Sequence, residues 1–85
     1  MKIKDNYQIV NIMNSDVLLD TTNVNGGIIK LNETSKIIVE GLINNKSKED
    51  IINVLFDNYD IDKETLSKDF DKLIESLKKA NAIDD

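Results

Sequence analysis

The chain has 85 residues and a formal net charge of −5, with no Cys, His, Trp, Pro or Arg; all eleven basic residues are Lys. Lacking Cys and His, it has no ligands for a usual structural zinc site, no thiolate nucleophile and no base titrating near neutrality. A chain of this mass buries roughly 63% of its unfolded surface, enough for one small core and no second domain. Residues 1–85 are therefore expected to form one domain, without disulfides, suited to the reducing cytoplasm, and not an enzyme.

The N-terminal stretch carries Lys2 and Lys4 but no apolar run of signal length, and no run approaches the ~20 residues of a spanning helix, so no membrane association is expected. From Ile3 to Leu31 the pattern lacks helical periodicity and reads as short extended runs. Tyr7, Ile9, Val10 and Ile12 supply a first strand; Asn14 and Ser15 form a tight turn before a second strand at Val17, Leu18 and Leu19. The polar stretch from Thr21 to Gly27, with Asn25, Gly26 and Gly27, accepts positive φ and favours a hairpin into a third strand, Gly27 to Leu31.

From Asn32 onward the pattern turns helical. Asn32 caps a first helix with Ile37, Ile38, Val39, Leu42 and Ile43 inward, ended by Asn44 and Asn45. Ser47, with Asp50 three residues on, starts a second, in which Ile51, Ile52, Val54, Leu55, Phe56 and Tyr59 turn inward. Asp62 caps the third and longest, whose stripe is Leu66, Phe70, Leu73, Ile74 and Leu77; Glu64 leads it and Lys78 and Lys79 trail it, matching the helix macrodipole. The predicted fold is α+β and winged-helix-like: a three-stranded antiparallel sheet over about residues 7–31, followed by three helices over about 33–81.

Three chemical readings are weighed against structural ones. Asn58, Asp60 and Asp62 alternate like the start of a calcium loop, but Lys63 stands where the turn Gly belongs and Asp69 where a bidentate Glu belongs, so a solvated turn with a helix cap is favoured and no metal site is expected. A winged-helix layout admits DNA binding as an alternative, a regulator. However, a chain without Arg and with an excess of acids lacks both a phosphate-neutralising stripe and a guanine reader. Ser35 and Ser47 lack the Asp-Ser-Leu setting of an acyl carrier protein and read as ordinary helix-start residues. What remains is the third strand, where Ile28, Ile29 and Leu31 put apolar side chains on both faces of an edge.

Several residues in order resemble the PqqD-like family of small peptide-binding domains, the RiPP recognition elements. The resemblance is carried by Val17 to Asp20, a Gly-containing turn, then Leu31, Asn32 and Thr34. It continues through Ser47, Glu49, Ile51, Ile52, Tyr59 and Asp60, then Leu66, Asp69, Phe70, Leu73, Ile74, Leu77 and Ile83. Asn45 and Asn81 stand where the family usually has Gly after its first and third helices, and Asn is the second choice for the left-handed conformation there. The aromatic often found shortly before Leu-Asn is replaced by Ile29 and Lys30.

The resemblance implies a non-catalytic domain, without cofactor, that binds the leader segment of a ribosomally synthesised precursor peptide and presents it to a modifying enzyme, often a radical SAM protein. It implies addition of the leader as a strand beside Gly27, Ile28, Ile29, Lys30 and Leu31, against the third helix. On that helix Phe70 and Ile74 are the candidate groove floor and Asp71 and Lys78 the candidate polar rim. The free chain is then expected to be a monomer or an edge-paired dimer, with no nucleic acid partner.

Overall fold

The structure is a computed structural model that describes residues 1–23, 25 and 27–84. Its elements in chain order are β1 (Lys2–Ile3), β2 (Tyr7–Ile12), β3 (Ser15–Asp20), β4 (Ile28–Leu31), α1 (Glu33–Ile43), α2 (Lys48–Asn58), α3 (Lys63–Lys79) and β5 (Ile83–Asp84). The three-stranded antiparallel sheet has the order β2-β3-β4, and three helices follow it, as the periodicity predicts.

Two features differ from the sequence reading. The first turn is Met13–Asn14 and not Asn14–Ser15: both residues have positive φ, 51° and 69°, and Ile12 pairs with Ser15. Positive φ at both central positions is the arrangement of a two-residue turn that matches the twist of the flanking strands. The second is a small sheet of β1 and β5, with Ile3 opposite Ile83. Two-residue strands carry no periodicity, so nothing in the sequence marks them. They close the chain on itself: Lys4 donates its backbone N–H to the Ala82 carbonyl at 2.9 Å, and the Tyr7 hydroxyl donates to the Ala80 carbonyl at 2.9 Å.

The helices begin where their caps predict. The Asn32 side chain accepts the Ser35 N–H while the Ser35 hydroxyl reaches back to the Asn32 N–H, a reciprocal capping box. Ser47 accepts from Asp50 and Asp62 from Thr65. Asn45 and Asn81 both adopt φ of 60°, so each serves as the left-handed residue past a helix end. α1 and α2 cross closely at Gly41, where a Cβ would lie 2.6 Å from Ile51 Cγ1.

One face of the sheet and the inner stripes of the helices share a core of Leu18, Leu31, Ile38, Val39, Leu42, Ile51, Leu55, Leu66, Phe70, Ile74 and Leu77, completed by Ile3 and Ile83. Val54 and Phe56 are not part of it. Both are close to half exposed, because α2 presents only Ile51, Ile52 and Leu55 to its neighbours. Phe56 instead lies under the Lys63 ammonium, 5.0 Å from the ring centroid.

Phe70 is 1% exposed at the centre of α3's buried face. We predict that Phe70→Ala lowers unfolding free energy by about 3–5 kcal/mol, seen as a large drop in urea midpoint. Hydrogen bonds from Thr22 and Asn6 hold the Asp20 carboxyl below its usual range, and the bond from Thr65 does the same for Asp62. A lowered folded-state value adds stability above the unfolded value, near pH 4, that is lost as pH falls through the folded value. The urea midpoint should therefore decline on the acid side, and Asp62→Asn should make that decline shallower.

Candidate peptide-binding edge

In an antiparallel pair, opposed residues alternate between exchanging hydrogen bonds and facing away from each other. The two-residue turn makes Ile12–Ser15 a bonded pair, and the Thr21 N–H to Asn6 carbonyl bond of 2.7 Å falls in the same phase. Gln8–Leu19 and Val10–Val17 are then the other bonded pairs of β2 and β3. It follows that the backbone groups of Asp16, Leu18 and Asp20 point toward β4.

β4 pairs Ile29 with Leu18 and Leu31 with Asp16. The N–H and C=O groups of Ile29 and Leu31 therefore serve the internal ladder, and those of Ile28 and Lys30 point away from β3. No other described strand pairs with that side of β4. The side chains alternate on the perpendicular axis. Leu31 is in the core and Ile29 packs against it, while Ile28 is 61% exposed and Lys30 is exposed on the opposite face. Gly27, at φ 91°, turns the chain into the strand, a conformation that strains any residue with a Cβ.

The strand is rigid at its far end because Leu31 runs directly into the Asn32 cap of α1. Lys36 on α1 also meets Asp16 on β3 at 3.5 Å. From there a cleft of about 260 Å³ opens between the start of α1 and α3, lined by Asn32, Thr34, Ser35, Ile38, Asp69, Lys72 and Leu73. At the other end a hollow of about 320 Å³ is lined by Leu19, Asp20, Thr21, Asn23, Gly27 and Ile28. An open strand edge with a recess at each end can accept an extended chain through its backbone and hold side chains beyond the paired segment.

The structure brings together the strand residues named from the sequence but separates those named on α3. Phe70 and Ile74 are 1% and 8% exposed, inside the core. Asp71 lies on the flank that faces α2, its carboxylate 3.0 Å from the Lys48 ammonium, and Lys78 lies two turns further along that flank. The cleft beside the end of β4 is bordered by the other flank, with Asp69, Lys72 and half-buried Leu73. Sequence spacing shows that α3 has one apolar stripe; it carries no signal for which flank meets which neighbour. Asn32, Thr34 and Ser35 could be found only as caps, because their capping role explains them fully. The Gly26 of the predicted hairpin turn lies outside the described residues.

Among the described residues, no group of three or more acidic or sulfur and imidazole side chains is placed to hold a metal ion. No helix is long and apolar enough to cross a membrane. Asp62 of the calcium-like pattern is the cap of α3, and the Asn58 side chain donates to the Val54 carbonyl at 2.7 Å.

No curated protein matches the sequence. Two solved structures share the fold. One is TbiB1 in complex with the TbiA(beta) leader peptide, with a TM-score of 0.80 and 24% identity over 96% of this chain and 93% of that one. The other is a lasso peptide synthetase B1 complexed with the leader peptide, with a TM-score of 0.77 and 26% identity over 95% and 92%. The family model for coenzyme PQQ synthesis protein D (PqqD) matches residues 16–83, from the second residue of β3 to the first of β5. With that match spanning most of its length, the chain belongs to the PqqD family.

Proposed function

We propose that this protein is a non-catalytic recognition domain that captures the leader segment of a ribosomally made precursor peptide as a fourth strand on β4, and delivers it to a modifying enzyme, in such systems often a radical SAM protein. The observation that carries the reading is the free edge of β4, with the backbone groups of Ile28 and Lys30 turned outward. The two solved relatives, each complexed with a leader peptide, support it.

Backbone pairing supplies affinity that is largely independent of sequence, and side-chain recesses supply selection. On the inner face, alternate leader residues would meet Ile29 and, past the strand end, the Asp69, Lys72 and Leu73 flank of α3. On the outer face they would lie beside Ile28 and Lys30. Phe70 and Ile74 support this groove from beneath, as the packing that holds α3 in place. Asp71 and Lys78, on the α2 side, are assigned no leader contact. The absence of Cys and His fits a role in which bond making is left to the partner enzyme.

Proline substitutions separate the two kinds of backbone donor on β4. Lys30→Pro removes an outward N–H and should leave the fold intact by circular dichroism, while weakening binding of a leader peptide encoded beside the gene by at least about tenfold, one hydrogen bond's worth. Ile29→Pro removes an inward N–H and should cost stability instead. Calorimetric titration of wild type and a folded Lys30→Pro variant with the same peptides measures the difference. Equal affinities would show that the leader pairs elsewhere. Saturable binding of duplex DNA, with no binding of any peptide, would favour the regulator reading.

A further inference from the structure

The outer face of the sheet is built of rows that run across the strands and stop at β4. One row is Val10, Val17 and Lys30; the next is Gln8, Leu19 and Ile28. Both end on a residue whose backbone groups point outward, so a strand added to that edge continues each row with one side chain of its own. The chemistry of those two side chains is set by what Lys30 and Ile28 lack.

Lys30 lacks a counter-charge. Lys2, Lys36, Lys48, Lys68 and Lys79 each meet a carboxylate at 3.0 to 4.0 Å. Lys30 is exposed, and among the described residues it has no such partner. Its cross-strand neighbour is the buried, apolar Val17. Two carboxylates share a recess with it at the end of β4, but Asp16 is engaged by Lys36 and Glu33 interacts with the Tyr59 hydroxyl. Ile28 lacks cover: it stands 61% exposed beside half-buried Leu19.

We propose that the leader selected by this edge carries a carboxylate directly across from Lys30, and a large apolar side chain two residues further toward its C-terminus, across from Ile28. The inference rests on the reading of β4 as the capture edge and names the sequence that edge prefers. The leader strand is taken as antiparallel to β4, the more stable pairing and the one used throughout this sheet. Ile28 precedes Lys30, so in the leader the acid comes first. The residue between the two lies across from Ile29, on the face shared with the core.

A lysine on an edge strand also serves to discourage pairing. That role alone would disfavour every added strand alike. Here the same residue carries outward backbone groups, and an acid in register turns repulsion into attraction, while a basic residue there is rejected. Lys72, which also borders the leader's path, shares its cleft with Asp69, so Lys30 is the position on that path where charge is left unbalanced.

Calorimetric titration of wild type and Lys30→Glu tests the proposal, using a leader peptide encoded beside the gene and versions of it in which each Asp or Glu is changed singly to Lys. Lys30 is exposed and Lys30→Glu keeps the backbone N–H, so circular dichroism should show an unchanged fold. At one acid, the Lys version should bind wild type about fivefold more weakly than the unaltered peptide, and bind Lys30→Glu about fivefold more tightly than the unaltered peptide does. Changing the apolar residue two positions after that acid to Ser should weaken binding to both proteins alike. Binding of the unaltered leader to wild type with no such reversal at any acid would overturn the proposal and leave capture on β4 standing. A gain in affinity for the unaltered leader on Lys30→Glu would do the same, making Lys30 an edge guard only. Failure of every leader peptide to bind wild type would overturn capture itself.

Discussion

The phase of the backbone hydrogen bonds along β3 decides what this molecule can bind. It is set at one place, the two-residue turn at Met13–Asn14, which makes Ile12–Ser15 a bonded pair. From there the alternation is fixed across the sheet. It turns Ile29 and Leu31 inward, Ile28 and Lys30 outward on one edge, and Ile9 and Asn11 outward on the other. A turn one residue longer or shorter would exchange these roles and would also move Leu18 from the core to the outer face. The hydrophobic pattern and the hydrogen-bond phase therefore have to agree, and the core position of Leu18 holds them in agreement.

The helices make a sheet of this size sustainable. Three strands cannot bury a face by themselves, and β4 is only four residues long. The Asn32 cap joins β4 to α1 without a loop, and the Asp16–Lys36 pair ties α1 back to β3. Such exposed pairs contribute little energy, so the rigidity of the edge comes from the shared core beneath it. Order in the strand before binding matters for capture: an edge already held in extended form does not have to lose backbone entropy when a peptide arrives.

Much of this was legible in the sequence. The caps at Asn32, Ser47 and Asp62, the left-handed Asn45 and Asn81 and the stripe of α3 are each local signals with a local physical cause, and each appears in the structure. The strand order and the identity of β4 as an edge followed from element order. What was not legible depends on tertiary placement. Val54 and Phe56 look like core by composition, yet α2 has one neighbour on each side and no third to cover them. The apolar stripe of α3 does not separate Asp69 from Asp71, though only Asp69 belongs to the resembling run, and the packing of α2 shows which flank of α3 faces away from β4. The pair β1–β5 depends on the two chain ends meeting, which no local window contains.

The central claim is that the outward backbone groups of β4 are the peptide's attachment points, and amide hydrogen exchange reads those groups one by one. In the free protein, the Ile29 and Leu31 amides should exchange slowly and those of Ile28 and Lys30 quickly. Addition of a leader peptide encoded beside the gene should slow Ile28 and Lys30 and leave Ile9 and Asn11 unchanged. Protection that appears at Ile9 and Asn11 instead, or exchange at Ile28 and Lys30 that is as fast with saturating peptide as without it, would contradict the account.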